Sequence, residues 1–141
     1  MKRAIAMALL ASTLLAGLAA AQPAEHGGST PEVSSRSMDA PYLAVPVVRD
    51  GRLVNYLFVS VRYDISPSVD LWRTRERAQF LRDALVRAVH HIDLSDPNDP
   101  NVLNQTRAIQ LFRQIGQQVL GENAIRGVSI VSSYSNRGST T

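Results

Sequence analysis

Tyr42-Leu43-Ala44-Val45-Pro46-Val47-Val48-Arg49-Asp50-Gly51-Arg52-Leu53-Val54-Asn55-Tyr56-Leu57-Phe58-Val59-Ser60-Val61-Arg62-Tyr63-Asp64-Ile65 holds two β-rich runs split by a polar turn. Asp-Gly between such runs is a strong short-range signal for a hairpin, because both residues tolerate positive φ. In the second run Leu57, Val59, Val61, Tyr63 and Ile65 alternate with Phe58, Ser60, Arg62 and Asp64. Period two puts the first set on one face, which predicts the core side of a strand. Pro46 has no N–H to give to a ladder, so the first strand is expected at an edge.

Downstream, Ser66-Pro67-Ser68 ends the strand, and a helical pattern runs from about Val69 or Asp70 to His91. At 100° per residue Leu71, Ala78, Leu81, Leu85, Ala88, Val89 and Ile92 fall on one stripe, with Asp70, Arg73, Glu76, Arg77, Asp83 and Arg87 opposite. Ser95 to Asn101 has two prolines and four Asx residues, a composition that favours a loop. A second helix is predicted from about Val102 or Leu103 to Leu120, with Ala108, Leu111, Phe112, Ile115 and Val119 as its apolar stripe and Gly121 as its C-terminal cap. Ile125 to Tyr134 reads as a last strand. The order ββααβ predicts an α+β domain, in which the hairpin and the C-terminal strand form a small antiparallel sheet covered on one face by two helices.

Upstream, Lys2 and Arg3 precede an apolar run from Ala4 to Leu18 that closes on Ala19-Ala20-Ala21. A charged start, a short apolar core and small residues before a cleavage point are the marks of a secretory signal, here over residues 1–21. The expected location is periplasmic or secreted. Left uncleaved, residues 4–21 are close to bilayer-spanning length and would anchor the chain in the inner membrane, facing the periplasm. Residues 22–40 are rich in Gly, Ser and Pro and read as a flexible linker. The folded domain is expected over 41–135, followed by a disordered tail at 136–141.

The 141-residue chain carries a formal charge of +3. Without residues 1–21, thirteen arginines face twelve acidic residues, which is near balance. No basic face stands out, so nucleic acid is not an expected partner. The absence of cysteine excludes disulfides and thiolate chemistry.

The candidates for chemistry are sparse. His90 and His91 are adjacent, about 100° apart on a helix, whereas helical metal pairs use i, i+4. Their place in a last helical turn suits the helix dipole. Asp93 to Asp99 resembles a calcium loop only in composition, since it lacks the central glycine and the closing glutamate. Gly-x-Ser-x-Gly and phosphate-cradling glycine loops are absent. No catalytic, cofactor or metal residues are therefore assigned, and the chain is not expected to be an enzyme. An enzyme would require titratable groups converging in a cleft, and Arg62, Asp64 and His90 or His91 are the first candidates for such a group.

Trp72 and Phe80 lie about 80–100° outside the first helix's apolar stripe on ideal geometry. Either a loop or the hairpin folds over them, or they form a partner surface, as Trp and Phe often do.

Several of these segments carry a family resemblance. Tyr42-Leu43 with Pro46-Val47-Val48, then Tyr56-Leu57-Phe58-Val59-Ser60-Val61, resembles the opening of the periplasmic domain of the flagellar basal-body protein FliL. Leu81-Arg82-Asp83-Ala84-Leu85 is similar to part of that family's first long helix. Arg113-Gln114-Ile115-Gly116-Gln117-Gln118-Val119-Leu120, followed by Val128-Ser129-Ile130-Val131, is similar to its final helix and strand. The resemblance spans about residues 42–134. It implies a non-enzymatic domain, related in fold to stomatin-type modules, that assembles in rings around the flagellar stator. Family members keep a transmembrane helix where this chain has a signal-like segment, and Tyr134-Ser135-Asn136 stands where they often carry glutamine. The expected function is protein–protein contact with a protein partner or by self-association. The alternative is a periplasmic small-ligand or surface-binding module, marked by a concave apolar pocket between sheet and helices.

Overall fold

The computed structural model describes residues 36–136. The hairpin pairs β1 (Ser37–Arg49) with β2 (Arg52–Ile65). Its turn residues Asp50 and Gly51 take φ of 52° and 71°, the double positive φ that a tight hairpin turn requires. A third strand, β3 (Ile125–Ser135), pairs antiparallel with β2, so the sheet order is β1-β2-β3 and Pro46 does lie on an edge. The alternation in β2 is obeyed throughout: Leu57, Val59, Val61, Tyr63 and Ile65 are buried.

The sheet starts earlier than the composition indicated. Ser37 to Ala40, assigned above to the linker, pair with Asp64 to Val61, and Met38 and Ala40 are buried in the core. Two polar ties dock this stretch. Arg36 donates from Nη2 to the carbonyls of Ser66 and Val69, at 2.9 and 2.7 Å. Asp39 accepts Nε and Nη2 of Arg62, its register partner, at 2.7 and 2.8 Å. Arg36 and Asp39 are polar, yet each is paired, so their charge does not keep this stretch off the sheet. The rest of the proposed linker, the signal segment and residues 137–141 lie outside the described residues. Asn136 itself still extends the ladder, donating to the Tyr56 carbonyl.

The single helix expected up to His91 is two helices, α1 (Leu71–Glu76) and α2 (Ala78–Val89), broken at Arg77 with φ −87° and ψ 1°. Neither Gly nor Pro causes the break. Thr74 is buried and its hydroxyl donates back to the Asp70 carbonyl at 2.7 Å, a bond that bends helices. Arg77 also sends Nη1 to the Val119 carbonyl at 2.9 Å. Asp70 caps α1 by accepting from the Trp72 and Arg73 amides. Helix α3 (Gln105–Leu120) starts with Asn104 capping Arg107 and ends at Gly121, whose φ of 110° suits glycine. Among the described residues no helix is long and apolar enough to cross a membrane.

The core lies between the helices and one face of the sheet. Leu81, Leu85 and Val89 of α2 are buried toward β1, and Ala108, Phe112 and Ile115 of α3 toward β2 and β3. At its centre Tyr63 is fully buried and donates its hydroxyl to the Phe112 carbonyl at 3.0 Å. Burial pushes the Tyr63 phenol far above its ordinary range, so it stays a neutral donor. Gly116, one turn further along α3, lets the helix approach: a Cβ there would sit 2.7 Å from the Tyr63 ring and 2.3 Å from the Ile125 side chain. The Ile125 tip can rotate away, but the tyrosine ring is held by its hydrogen bond. In open space Gly→Ala would stabilise a helix interior by about 1 kcal/mol. Here overpacking should win, and Gly116→Ala is expected to destabilise by about 1–3 kcal/mol in urea unfolding. A stabilised variant would show that α3 has room to move.

Candidate interaction surface

Trp72 sits in the first turn of α1 with 74% of its surface exposed, and Phe80 in the first turn of α2 with 59% exposed. The reading in which a loop or the hairpin covers them does not hold. Beside Trp72 the Arg75 guanidinium lies 5.7 Å from the ring centroid, a cation–π distance, and Arg75 also donates to the Ser37 carbonyl. The indole is thus steadied from one side by a cation that is itself tied to β1. Its backbone is fixed by the Asp70 cap, so the ring is presented from an ordered turn.

Arg62, Asp64, His90 and His91 do not converge. Arg62 and Asp64 belong to the face of β2 turned away from the helices, where Arg62 engages Asp39. His90 and His91 cap the end of α2 on the other side of the sheet and are exposed, His90 with its ring Nδ1 2.7 Å from the Val86 carbonyl. Among the described residues no group of three or more His, Cys, Asp or Glu is placed to hold a metal.

The 93–104 connection is held by its own turn chemistry. Asp93 accepts from the Ser95 amide and hydroxyl, Asp96 from the Asn98 amide, and Asp99 from the Asn101 amide and side chain. Arg49 joins this loop to the hairpin turn through Asp93, Ser95 and the Asp96 carbonyl. Burial pushes the Asp93 carboxyl up, but the bonds from Ser95 and Arg49 outweigh it and hold the group below its ordinary value of 3.8. The hydrogen bonds from Arg62 hold Asp39 below the same value, against a smaller effect of burial.

A carboxylate with a lowered folded-state pKa contributes stability above its unfolded value and loses it as pH falls through the folded one. Thermal melts should therefore be flat above about pH 4 and fall steadily below it, with Asp39→Asn and Asp93→Asn each removing part of that fall. An acid limb unchanged from the parent's in both variants would contradict the assignment.

Sequence reasoning missed two features. Asn55, on the core side of β2, is buried and its Nδ2 lies within bonding distance of the Pro100 carbonyl, Asn101 Oδ1 and Ser135 Oγ. Its place in the alternation marked it as inward-facing, though its partners are remote in sequence. On the open face of the sheet Phe58 and Tyr134 stack, with centroids 5.2 Å apart and planes 19° apart. That pair needed the β2–β3 register to be seen. Between helices and sheet the centre is filled by Tyr63, Phe112 and the aliphatic core, and at one side a small pocket of about 180 Å³ opens between β1 and α2, lined by Met38, Asp39, Ala40, Ala78, Leu81 and Arg82. A more open groove of about 410 Å³ runs along α1 and the end of α3, lined by Val69, Asp70, Arg73, Thr74, Arg77 and Leu120.

In comparisons with known proteins, no family model, no curated protein and no solved structure matches this chain.

Proposed function

We propose that this chain is an exported, non-enzymatic domain that works by protein–protein contact, with Trp72 and Phe80 in the contact. The observation that carries the reading is the exposure of a tryptophan on a capped, ordered helical turn. A large amphipathic ring held rigid on the surface loses little entropy when a partner covers it, which is why Trp is frequent among binding hot spots. The flagellar setting, as an accessory of the basal body and its stator, is supported by the FliL-like pattern of strands and helices alone. A photo-crosslinking residue placed at 72 or 80 in living cells tests the reading. A discrete crosslinked protein adduct is expected at both positions and not at Gln110, an exposed polar site on α3. Equal labelling at all three positions, or none at 72 and 80, would remove the support.

A further inference from the structure

Among the described residues strand β3 has a neighbour on one side only. Asn136 donates its N–H to the Tyr56 carbonyl at 3.0 Å, so Asn136 and Tyr56 form a hydrogen-bonded pair. From there the register runs unbroken through Leu57↔Ser135, Phe58↔Tyr134, Val59↔Ser133 and Ser60↔Ser132. Opposite residues on antiparallel strands alternate between bonded and non-bonded pairs. Ser132 and Tyr134 therefore turn their N–H and C=O toward β2, whereas Ser133 and Ser135 turn theirs off the edge of the sheet. Among the described residues nothing pairs with those outward groups.

The two edges are not equivalent. Strand β1 carries Pro46 and a register break at Tyr42, whose φ is 56°, both devices that blunt an edge. Strand β3 has a bulge at Val131, but from Ser132 to Ser135 it has neither proline nor charge. Val131 to Tyr134 are all exposed, because this end of β3 runs out beyond the helices. Tyr134 is half exposed, stacked on Phe58 on the sheet's open side.

We propose that this edge pairs with the same edge of a second copy, antiparallel about a twofold axis at Tyr134. Ser133 then lies opposite Ser135 of the second copy, and Ser135 opposite its Ser133. Each chain offers two N–H and two C=O groups that the symmetry brings into mutual register, so the segment is its own complement. Tyr134 meets its counterpart as a non-bonded pair, with Cβ atoms about 4.5–5.5 Å apart. The Phe58–Tyr134 stack becomes a ladder of aromatic rings across the axis, and the two sheets become one, with the helices of both copies on the same face. No residue of α1 or α2 takes part, so the dimer stands apart from the Trp72 and Phe80 contact.

The chain has no cysteine, which makes single thiols clean probes. Under mild oxidation, Tyr134→Cys should form a covalent dimer at least about tenfold faster than Ser132→Cys, because the axis places the first pair within disulfide reach. The 132 positions end up about 13 Å apart along the strands. Sedimentation of the intact chain over a concentration series should show a monomer–dimer equilibrium. Tyr134→Lys should weaken it by at least about tenfold, since like charges directly opposite repel. Ser133→Pro should give a monomer, and if that variant does not fold the two thiol variants still decide. Trp72→Glu should dimerise as the parent does. A monomer at every concentration, equal oxidation rates at 132 and 134, or loss of the dimer in Trp72→Glu would each overturn the edge assignment.

Discussion

Tyr63→Ala is expected to cost about 3–5 kcal/mol of stability, the largest single loss in the domain, because it removes a fully buried aromatic ring. Tyr63 is on the central strand, its ring fills the space under Gly116, and its hydroxyl reaches the Phe112 carbonyl. Its side chain joins the central strand to α3 at the middle of the core, so truncation leaves a cavity between the layers. Tyr63→Phe separates the contributions. It keeps the ring and loses only the hydroxyl's bond, and should cost about 1 kcal/mol. Denaturant unfolding followed by circular dichroism reads both. An alanine variant no less stable than the phenylalanine variant would mean that the ring does not join the layers.

Trp72→Ala should behave in the opposite way. Only a quarter of the side chain is covered in the folded domain, and the interaction it loses there, with the Arg75 guanidinium, is worth about 0.5–1 kcal/mol at an exposed site. Unfolding should therefore barely change. At a contact, a buried tryptophan of the hot-spot kind contributes about 2 kcal/mol or more, which is roughly thirtyfold in affinity. Light scattering of the assembled complex and a melt of the free domain, made on one preparation, separate the two effects. A variant that assembles normally while melting early would make Trp72 a structural residue.

The sequence made some of this legible and hid the rest for identifiable reasons. Asp50-Gly51 and the alternation from Leu57 to Ile65 are local signals, and the hairpin follows them residue by residue. Pro46 pointed to an edge by chemistry alone. Ser37 to Ala40 were misassigned although Met38 and Ala40 alternate with polar neighbours, because the charge of Asp39 is neutralised only by Arg62 on the next strand. The break at Arg77 was invisible to periodicity, since a single backbone angle near zero does not change which residues are apolar. Of its causes, the Arg77 tie to α3 is tertiary, and the Thr74 back-bond, although local, is open to any helical threonine and does not by itself mark a break.

At the candidate surface, the stripe of the first helix placed Trp72 and Phe80 outside the core from sequence. Whether another segment covered them depended on the path of the loops, which no local rule supplies. The Phe58–Tyr134 stack and the free edge of β3 needed the pairing of strands some seventy residues apart.

The most direct test is the affinity of the double variant Trp72→Glu/Phe80→Glu for the protein crosslinked at those positions, measured beside its melting curve. Burying two carboxylates where two aromatic rings were should abolish binding while the melt stays close to that of the parent, since surface substitutions away from special features usually change stability by no more than about 0.5 kcal/mol. Undiminished binding by a folded double variant would contradict the claim that this domain works through that surface.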